Sequence, residues 1–270
     1  MLFSATTVAM RMAFRRGALA EGGALFTVLV AIGVVLPFAI VQGGLTVEVW
    51  PFLVAGLLGP GLSQFLFTFA VREAGAARTS VVVGTSPLFA IAIAFVLLDE
   101  PLEAALVLGA LLVVAGGFML VSERGRPEHL RRRGLALALV ATIVFAARDN
   151  LVRWLSIDTD VSPGVAALAT LAAGAALMTV FVIVGRAPLR MHDARAFAPA
   201  GLVFGLSYIC LFEAYYRGRV TVVSPLVGTE SLWGVALAAI VLGRSERVGS
   251  RLLAGAALVV AGGALIGVFR

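Results

Sequence analysis

Apolar runs of roughly the length of a bilayer-crossing helix follow one another along nearly the whole chain, broken only by short clusters of Arg, Gly, Pro and acidic residues. A helix needs about 20 apolar residues to cross hydrocarbon, and it satisfies its own backbone there, which an open strand or loop does not. The runs predict helices at residues 2 to 14, 22 to 41, 50 to 70, 76 to 98, 102 to 121, 134 to 155, 163 to 185, 196 to 216, 219 to 242 and 249 to 268. Ten such spans use up the 270 residues and leave no room for a soluble domain. The predicted fold class is therefore all-α, a polytopic membrane protein of ten transmembrane helices. Composition agrees, since 61% of residues are hydrophobic and 13% charged, against about a quarter charged in soluble domains.

The net charge of +6 would suggest a nucleic-acid partner in a soluble chain. Beside membrane helices, Lys and Arg have a simpler use as topology signals, so no nucleic acid is expected. Cys210, the single cysteine, can form no internal disulfide and reads as a small buried hydrophobe. At the N-terminus the apolar stretch Met1 to Met10 precedes Arg11, Arg15 and Arg16, the reverse of a signal peptide's order. It is read as a short first helix.

Self-similarity organises the spans. Residues 109 to 117 read GALLVVAGG and residues 255 to 263 read GAALVVAGG. Gly84-Thr85-Ser86-Pro87-Leu88-Phe89 lies over Gly228-Thr229-Glu230-Ser231-Leu232-Trp233, and Gly61-Leu62-Ser63 over Gly205-Leu206-Ser207. The division that follows is a first five-helix repeat at 1 to 121, a polar linker at 122 to 133 and a second repeat at 134 to 270. Five is odd, so the second copy enters the membrane from the opposite side. The halves should then be related by a pseudo-two-fold axis in the membrane plane, an arrangement typical of secondary transporters with a midplane site. The glycines read as packing surfaces, because helices approach closely in lipid through small residues. No Gly-Lys-Ser/Thr follows any Gly cluster, which argues against a phosphate loop.

The residues that carry the repeat also carry a resemblance. Pro87, Glu100-Pro101-Leu102, Gly109 and Ala115-Gly116-Gly117 in the first half, with Val223-Ser224-Pro225-Leu226, Glu230, Glu246, Gly255 and Ala261-Gly262-Gly263 in the second, resemble the EamA family of the drug/metabolite transporter superfamily. The resemblance covers essentially the whole chain and implies ten helices and movement of small metabolites, with no particular substrate. Two features depart from it: the short first helix lacks the family's Trp-Gly-Asn-like pattern, and Ser231 stands where the family often has Pro.

Basic residues crowd the connections after predicted helices one (Arg15, Arg16), three (Arg72, Arg78), five (Arg124, Arg126, Arg131 to Arg133), seven (Arg186, Arg190, Arg195) and nine (Arg244, Arg247, Arg251). Cytoplasmic loops hold such an excess, so the count places both termini outside, whereas the resemblance implies both termini in the cytoplasm.

Charged groups deep in a bilayer cost at least a few kcal/mol and usually serve a pathway or a partner. Glu230 lies halfway along predicted helix nine beside Thr229. Burial favours a neutral carboxyl, which suits Glu230 to exchange protons, the plain alternative being a glutamate neutralised by a nearby Arg. In helix six Arg148, Asp149, Asn150 and Arg153 cluster. Asp149 and Arg153 are four apart and should pair, leaving Arg148 for Glu230 or for an anionic group of the solute; alternatively the whole cluster snorkels at the interface. Glu213 should pair with Arg217. Among the aromatics, Trp233 and Tyr208 are expected to line a cavity, and Tyr215 and Tyr216 to anchor at the interface. Pro87 and Pro225 should kink their helices and act as hinges.

These readings converge on a secondary transporter of the plasma (inner) membrane that moves a small metabolite or drug-like solute by alternating access. Arg148, Asp149, Asn150, Thr229, Glu230, Trp233 and Tyr208 would bind solute, and Glu230 with Asp149 would relay a proton or coupling ion. No cofactor, metal or catalytic residue is expected, and the partners are the solute and membrane lipid, with the chain a monomer or homodimer. The alternative class is a polytopic membrane enzyme acting on lipids. It would need a nucleophile or metal cluster, whereas His129 and His192 stand in predicted loops away from paired carboxylates.

Overall fold

The computed structural model describes residues 1–43, 47–98, 104–121, 132–218, 220–243 and 249–268, which contain helices and turns and no strand. Glu100, Pro101, Leu102, Glu246, Arg219, Arg244, Arg247 and linker residues 122–131, His129 among them, lie outside the described residues, as does the side chain of Pro225. The helices are α1 (Leu2–Arg15), α2 (Ala20–Gln42), α3 (Trp50–Ala74), α4 (Ala76–Val83), α5 (Ser86–Leu98) and α6 (Ala104–Val121), followed by α7 (Arg132–Leu155), α8 (Pro163–Val184), α9 (Met191–Arg217), α10 (Val220–Gly228), α11 (Glu230–Leu237) and α12 (Ser250–Val268). Among the described residues α2, α3, α7, α8, α9 and α12 are long and apolar enough to cross a membrane. At about 1.5 Å per residue each spans roughly the thickness of the hydrocarbon. The chain is an all-helical, multi-pass membrane protein.

Three predicted helices differ from expectation in an informative way. The helix expected at 50 to 70 runs to Ala74 and bends at a wide π turn (Leu57–Leu62), where Gly59 leaves helical dihedrals (φ −145°, ψ 120°) and Pro60 has no N–H to donate. The helices expected at 76 to 98 and 219 to 242 are each interrupted, at Gly84-Thr85 and at Thr229. The two interruptions are built alike. The Thr85 hydroxyl donates to the Val82 carbonyl at 2.6 Å, and the Thr229 hydroxyl donates to the Leu226 carbonyl at 2.6 Å. Each threonine thereby engages a carbonyl next to the break, where the helical ladder stops. Pro87 consequently falls in the first turn of α5, where a missing N–H costs nothing. The break precedes the proline, so the expected proline kink is corrected to a threonine-stabilised turn.

Packing repeats under exchange of the halves. α1 lies on α9 as α7 lies on α3; α2 lies on α9 as α8 lies on α3; α6 pairs with α12, and α4 with α11. Glycines make these contacts close. A Cβ on Gly116 would meet the Gly255 carbonyl at 2.6 Å, and one on Gly255 would meet the Gly116 carbonyl at 2.9 Å; Gly109 and Gly262 stand in the same reciprocal relation. Where the two interrupted helices cross, Gly84 faces the Gly228 carbonyl and Gly228 faces the Gly84 carbonyl. Small residues thus bring backbones together where lipid supplies no hydrophobic force.

Several expected surface groups are interior. Arg78, counted as a loop charge, is fully buried, and Arg11 is 8% exposed with a guanidinium N–H donating to the Arg72 carbonyl at 3.1 Å. Arg72 reaches Glu21 at 3.1 Å and Glu73 at 3.4 Å, fastening the start of α2 to the end of α3. The basic count used for orientation therefore includes arginines that serve packing. Cys210, in contrast, is exposed rather than buried.

Candidate functional site

Between α1, α3, α7, α9 and the crossing of the interrupted helices lies a narrow cavity of about 40 Å³, large enough for water. Its wall is aromatic, formed by Phe3, Phe67, Phe145 and Phe204. Thr6, Gln64 and Ser86 supply neutral polar groups, and Arg148, Asp149 and Glu230 supply charge. A second, wider space of about 320 Å³, at the lower end of the usual range for small-ligand sites, adjoins it, shares Phe3, Leu211, Val227 and Glu230, and continues past Met1, Ser207 and Cys210.

The charged residues are held by different means. On α7, Arg148 and Asp149 are 3% and 6% exposed. Their Nε and Oδ1 atoms stand 3.0 Å apart in an oblique approach, an ion pair without a linear hydrogen bond. A guanidinium N–H of Arg148 also donates to the Tyr208 hydroxyl at 3.2 Å, and the guanidinium lies 5.3 Å from the Tyr208 ring centre and 5.7 Å from that of Phe145. Gly59 makes room for this side chain, since a Cβ there would come within 3.2 Å of Arg148 Cγ and 2.9 Å of Ser63 Oγ. In low dielectric a buried ion pair holds only when both charges stay matched, and here aromatic faces and a phenol complete the match.

Glu230 is the first residue of α11, immediately after the break at Thr229, and is 4% exposed. Its main-chain carbonyl accepts from Ser4 Oγ at 3.0 Å, which pins α1 to the break. Among the described residues no side chain hydrogen-bonds its carboxylate, and the nearby cation is the N-terminal ammonium of Met1, which lines the adjoining space with it. Ser86, its counterpart in the other half, lines the same cavity from the first residue of α5.

The structure regroups the expected site. Arg148, Asp149 and Glu230 share one cavity. Tyr208 stands behind Arg148, packed between Phe204 and Phe212, and supports it. The expected Asp149–Arg153 pair is replaced by Asp149–Arg148, because Arg153 donates to the Tyr215 carbonyl at 2.8 Å and ties α7 to α9. Asn150 donates to its own helix at the Ala146 carbonyl, 2.9 Å, and Thr229 is engaged at the break; neither lines the cavity. Trp233 is 44% exposed and lines neither space, a correction to the expected cavity position, although i and i+3 positions share a helix face. Tyr215 is fully buried rather than an interface anchor, and Tyr216 stacks on Phe52 at 6.4 Å. Glu213 pairs with Arg217 as expected and also accepts from Gln42 Nε2 at 2.7 Å. The phenylalanine wall, Thr6 and Gln64 were not foreseen as lining residues. The i, i+3 pair Phe145 and Arg148 on α7 was the available signal. His192 is exposed in the first turn of α9, and among the described residues no His, Cys, Asp and Glu cluster could hold a metal.

A bundle of apolar helices around a charged, aromatic-walled cavity, with two interrupted helices crossing beside it, defines a class: multi-pass membrane proteins with an interior polar site. The sequence profile of the EamA-like transporter family matches residues 1–122 and again 132–268. The chain belongs to that family, part of the drug/metabolite transporter superfamily, whose members are membrane transporters rather than enzymes. A solved crystal structure of a protein superposes with a TM-score of 0.72 at 21% identity, covering 98% of this chain and 92% of its own; at that identity it shows the fold alone. No curated protein matches the chain by sequence.

Proposed function

We propose that this chain is a secondary transporter that moves a small metabolite or drug-like solute across the plasma (inner) membrane by alternating access. In this reading it crosses the membrane ten times, as two inverted five-helix repeats at 1 to 121 and 134 to 270 joined by the linker at 122 to 133. The reciprocal glycine contacts and the matched threonine turns support that organisation, because each maps onto its partner when the halves are exchanged. Discontinuous helices at a repeat interface are where transporters of this kind place their sites.

The observation that carries the reading is the buried carboxylate of Glu230, without a side-chain hydrogen bond, lining the same interior cavity as the Arg148–Asp149 pair. Intramembrane charges that face an interior cavity usually mark a pathway. Glu230 binds solute and exchanges the coupling proton, Asp149 keeps Arg148 charge-matched, and the breaks near Pro87 and Pro225 act as hinges. The test begins with a solute screen by thermal stabilisation of purified protein, since a ligand that binds only the folded state raises its melting point. Uptake of the solutes found is then measured in proteoliposomes with and without a pH gradient. Wild-type uptake should respond to the gradient and Glu230→Gln should not; intact, pH-indifferent uptake in Glu230→Gln overturns the relay, and absence of any uptake overturns the carrier.

A further inference from the structure

We infer that the basic corner formed by the turn between α1 and α2 and the turn between α8 and α9 binds the phosphate headgroup of an anionic phospholipid. The two turns are fastened to each other. The Leu19 N–H donates to Asp193 Oδ1 at 3.1 Å, His192 Nε2 stands 3.1 Å from the Arg16 carbonyl oxygen, and the Phe14 and Phe197 rings meet edge to face at 5.3 Å. Leu189 reaches α2 beside Gly22, where a Cβ would stand 3.5 Å from its Cδ2. Arg15, Arg16, Arg186, Arg190 and Arg195 are thereby gathered at one end of the bundle, all exposed. Among the described residues none of these five side chains has a hydrogen bond or an ion pair. The acids nearby are already engaged: Asp193 is buried on the Leu19 N–H, and Glu21 is held by Arg72 at 3.1 Å. The corner therefore carries surplus positive charge. The corresponding turn of the other half, between α7 and α8, carries Asp158 and Asp160 instead, so the repeat itself does not impose that charge.

Two further observations point to a lipid. Arg186, just past the end of α8, has φ +48°, in the left-handed region that glycine favours at this place in a helix terminus. Its N–H donates to the Ile183 carbonyl at 3.1 Å. A long charged residue is strained there where glycine is not, and strain of this kind gathers at ligand sites. The second observation is the apolar surface beside the arginines, where Ile183 and Val184 are 68% and 77% exposed and Leu189 and Met191 54% and 69%. Free phosphate has no use for that surface. A phospholipid lays its acyl chains on it and sets its phosphate at the level of the arginines, whose guanidinium forks bind phosphate oxygens in pairs. α9 begins at the same place without a side-chain cap, and open N–H groups at a helix start also favour phosphate. Arginines at a membrane boundary strengthen the hold on anionic headgroups by about fivefold each.

The test is thermal melting of the purified full chain in neutral detergent, titrated with phosphatidylglycerol, with phosphatidylcholine or with inorganic phosphate, the affinity being read from the rise in melting point. Phosphatidylglycerol should raise the melting point saturably, and the other two probes should leave it where it is. Arg186→Gln, Arg190→Gln and Arg195→Gln should each weaken phosphatidylglycerol about fivefold. The paired change Arg132→Gln with Arg133→Gln, at two exposed arginines that open α7, should keep it within about twofold. Arg186→Gly relieves the backbone at its position, so it should melt no lower than wild type without lipid and still lose the same fivefold, which separates a lipid contact from a folding contact. Equal stabilisation by phosphatidylcholine or by inorganic phosphate overturns the inference on the wild-type protein alone. Unchanged phosphatidylglycerol affinity in a folded Arg186→Gly, or an equal loss in the Arg132 and Arg133 pair, overturns it as well, because the charge would then act diffusely and not at this corner.

Discussion

Replacing Gly84 by alanine tests the crossing of the interrupted helices more sharply than any change to a charged residue. Gly84 has ordinary right-handed dihedrals (φ −59°, ψ −13°), so alanine meets no backbone strain, and by chain entropy alone it would stabilise by up to about 1 kcal/mol. Space decides against it. The new Cβ would stand 2.6 Å from Ser231 Cβ, 2.8 Å from Ser231 Oγ and 3.1 Å from the Gly228 carbonyl oxygen. The first distance falls about 0.9 Å inside the ~3.5 Å of normal carbon contact, and because the obstructing atom is a Cβ, rotating the side chain does not relieve it. Overpacking of this kind costs about 1–3 kcal/mol. Gly228→Ala, at the matching position, comes no closer than 3.1 Å to Pro87 Cγ and 3.3 Å to the Gly84 carbonyl, and should cost under about 1 kcal/mol. Adding Ser231→Gly to Gly84→Ala removes both close atoms and should recover most of the loss. The assay is a double-mutant cycle of equilibrium unfolding in mixed micelles. A Gly84→Ala protein as stable as wild type, a costlier Gly228→Ala, or no recovery with Ser231→Gly would refute the crossing geometry.

Other substitutions probe the site. Asp149→Asn strands the buried Arg148 and should cost about 3–5 kcal/mol of unfolding free energy, whereas Arg148→Met with Asp149→Leu should recover most of that; both are read by the same unfolding assay. Tyr208→Phe removes the 3.2 Å bond to Arg148 and should destabilise by about 1.5–3 kcal/mol, with reduced solute affinity seen by titration. Trp233→Ala, on an outward face, should leave solute affinity within about twofold of wild type, since it touches neither cavity.

The membrane class, the family and the pairing of motifs across the halves were legible because they rest on long-range pattern: apolar runs and blocks recurring 144 to 146 residues apart. What the pattern hid was direction. The residues around Gly84-Thr85 and Thr229 are as apolar and regular as their neighbours, so hydropathy gave no sign of a break; the signal was the Gly-Thr pair itself, glycine ahead of a hydroxyl able to engage a freed carbonyl. Shared helix face misplaced Trp233, since an i, i+3 neighbour of Glu230 can still stand outside the cavity when no other helix packs over it. The i, i+4 rule named Arg153 as the partner of Asp149, yet Arg153 met a carbonyl exposed at the end of α9 that only the packing of α7 on α9 reveals. Arg78 looked like a loop charge because sequence does not show which helix ends the bundle encloses. Arg148, Asp149 and Glu230 were recognised as candidates because any charge within such runs is conspicuous. Their division of labour was not, because it depends on Tyr208 and the phenylalanines arriving from other helices.

The account stands most directly on the opposite orientation of its two halves, and the single cysteine makes that measurable. In a Cys210→Ser background, a cysteine is placed at Arg16 between α1 and α2 or at Asp158 in the corresponding turn between α7 and α8, both exposed. A membrane-impermeant thiol reagent is then applied to intact cells and, separately, to permeabilised cells. Inverted halves predict that one cysteine reacts from outside and the other only after permeabilisation. Reaction of both from the same side would contradict the two-fold arrangement and the carrier mechanism built on it.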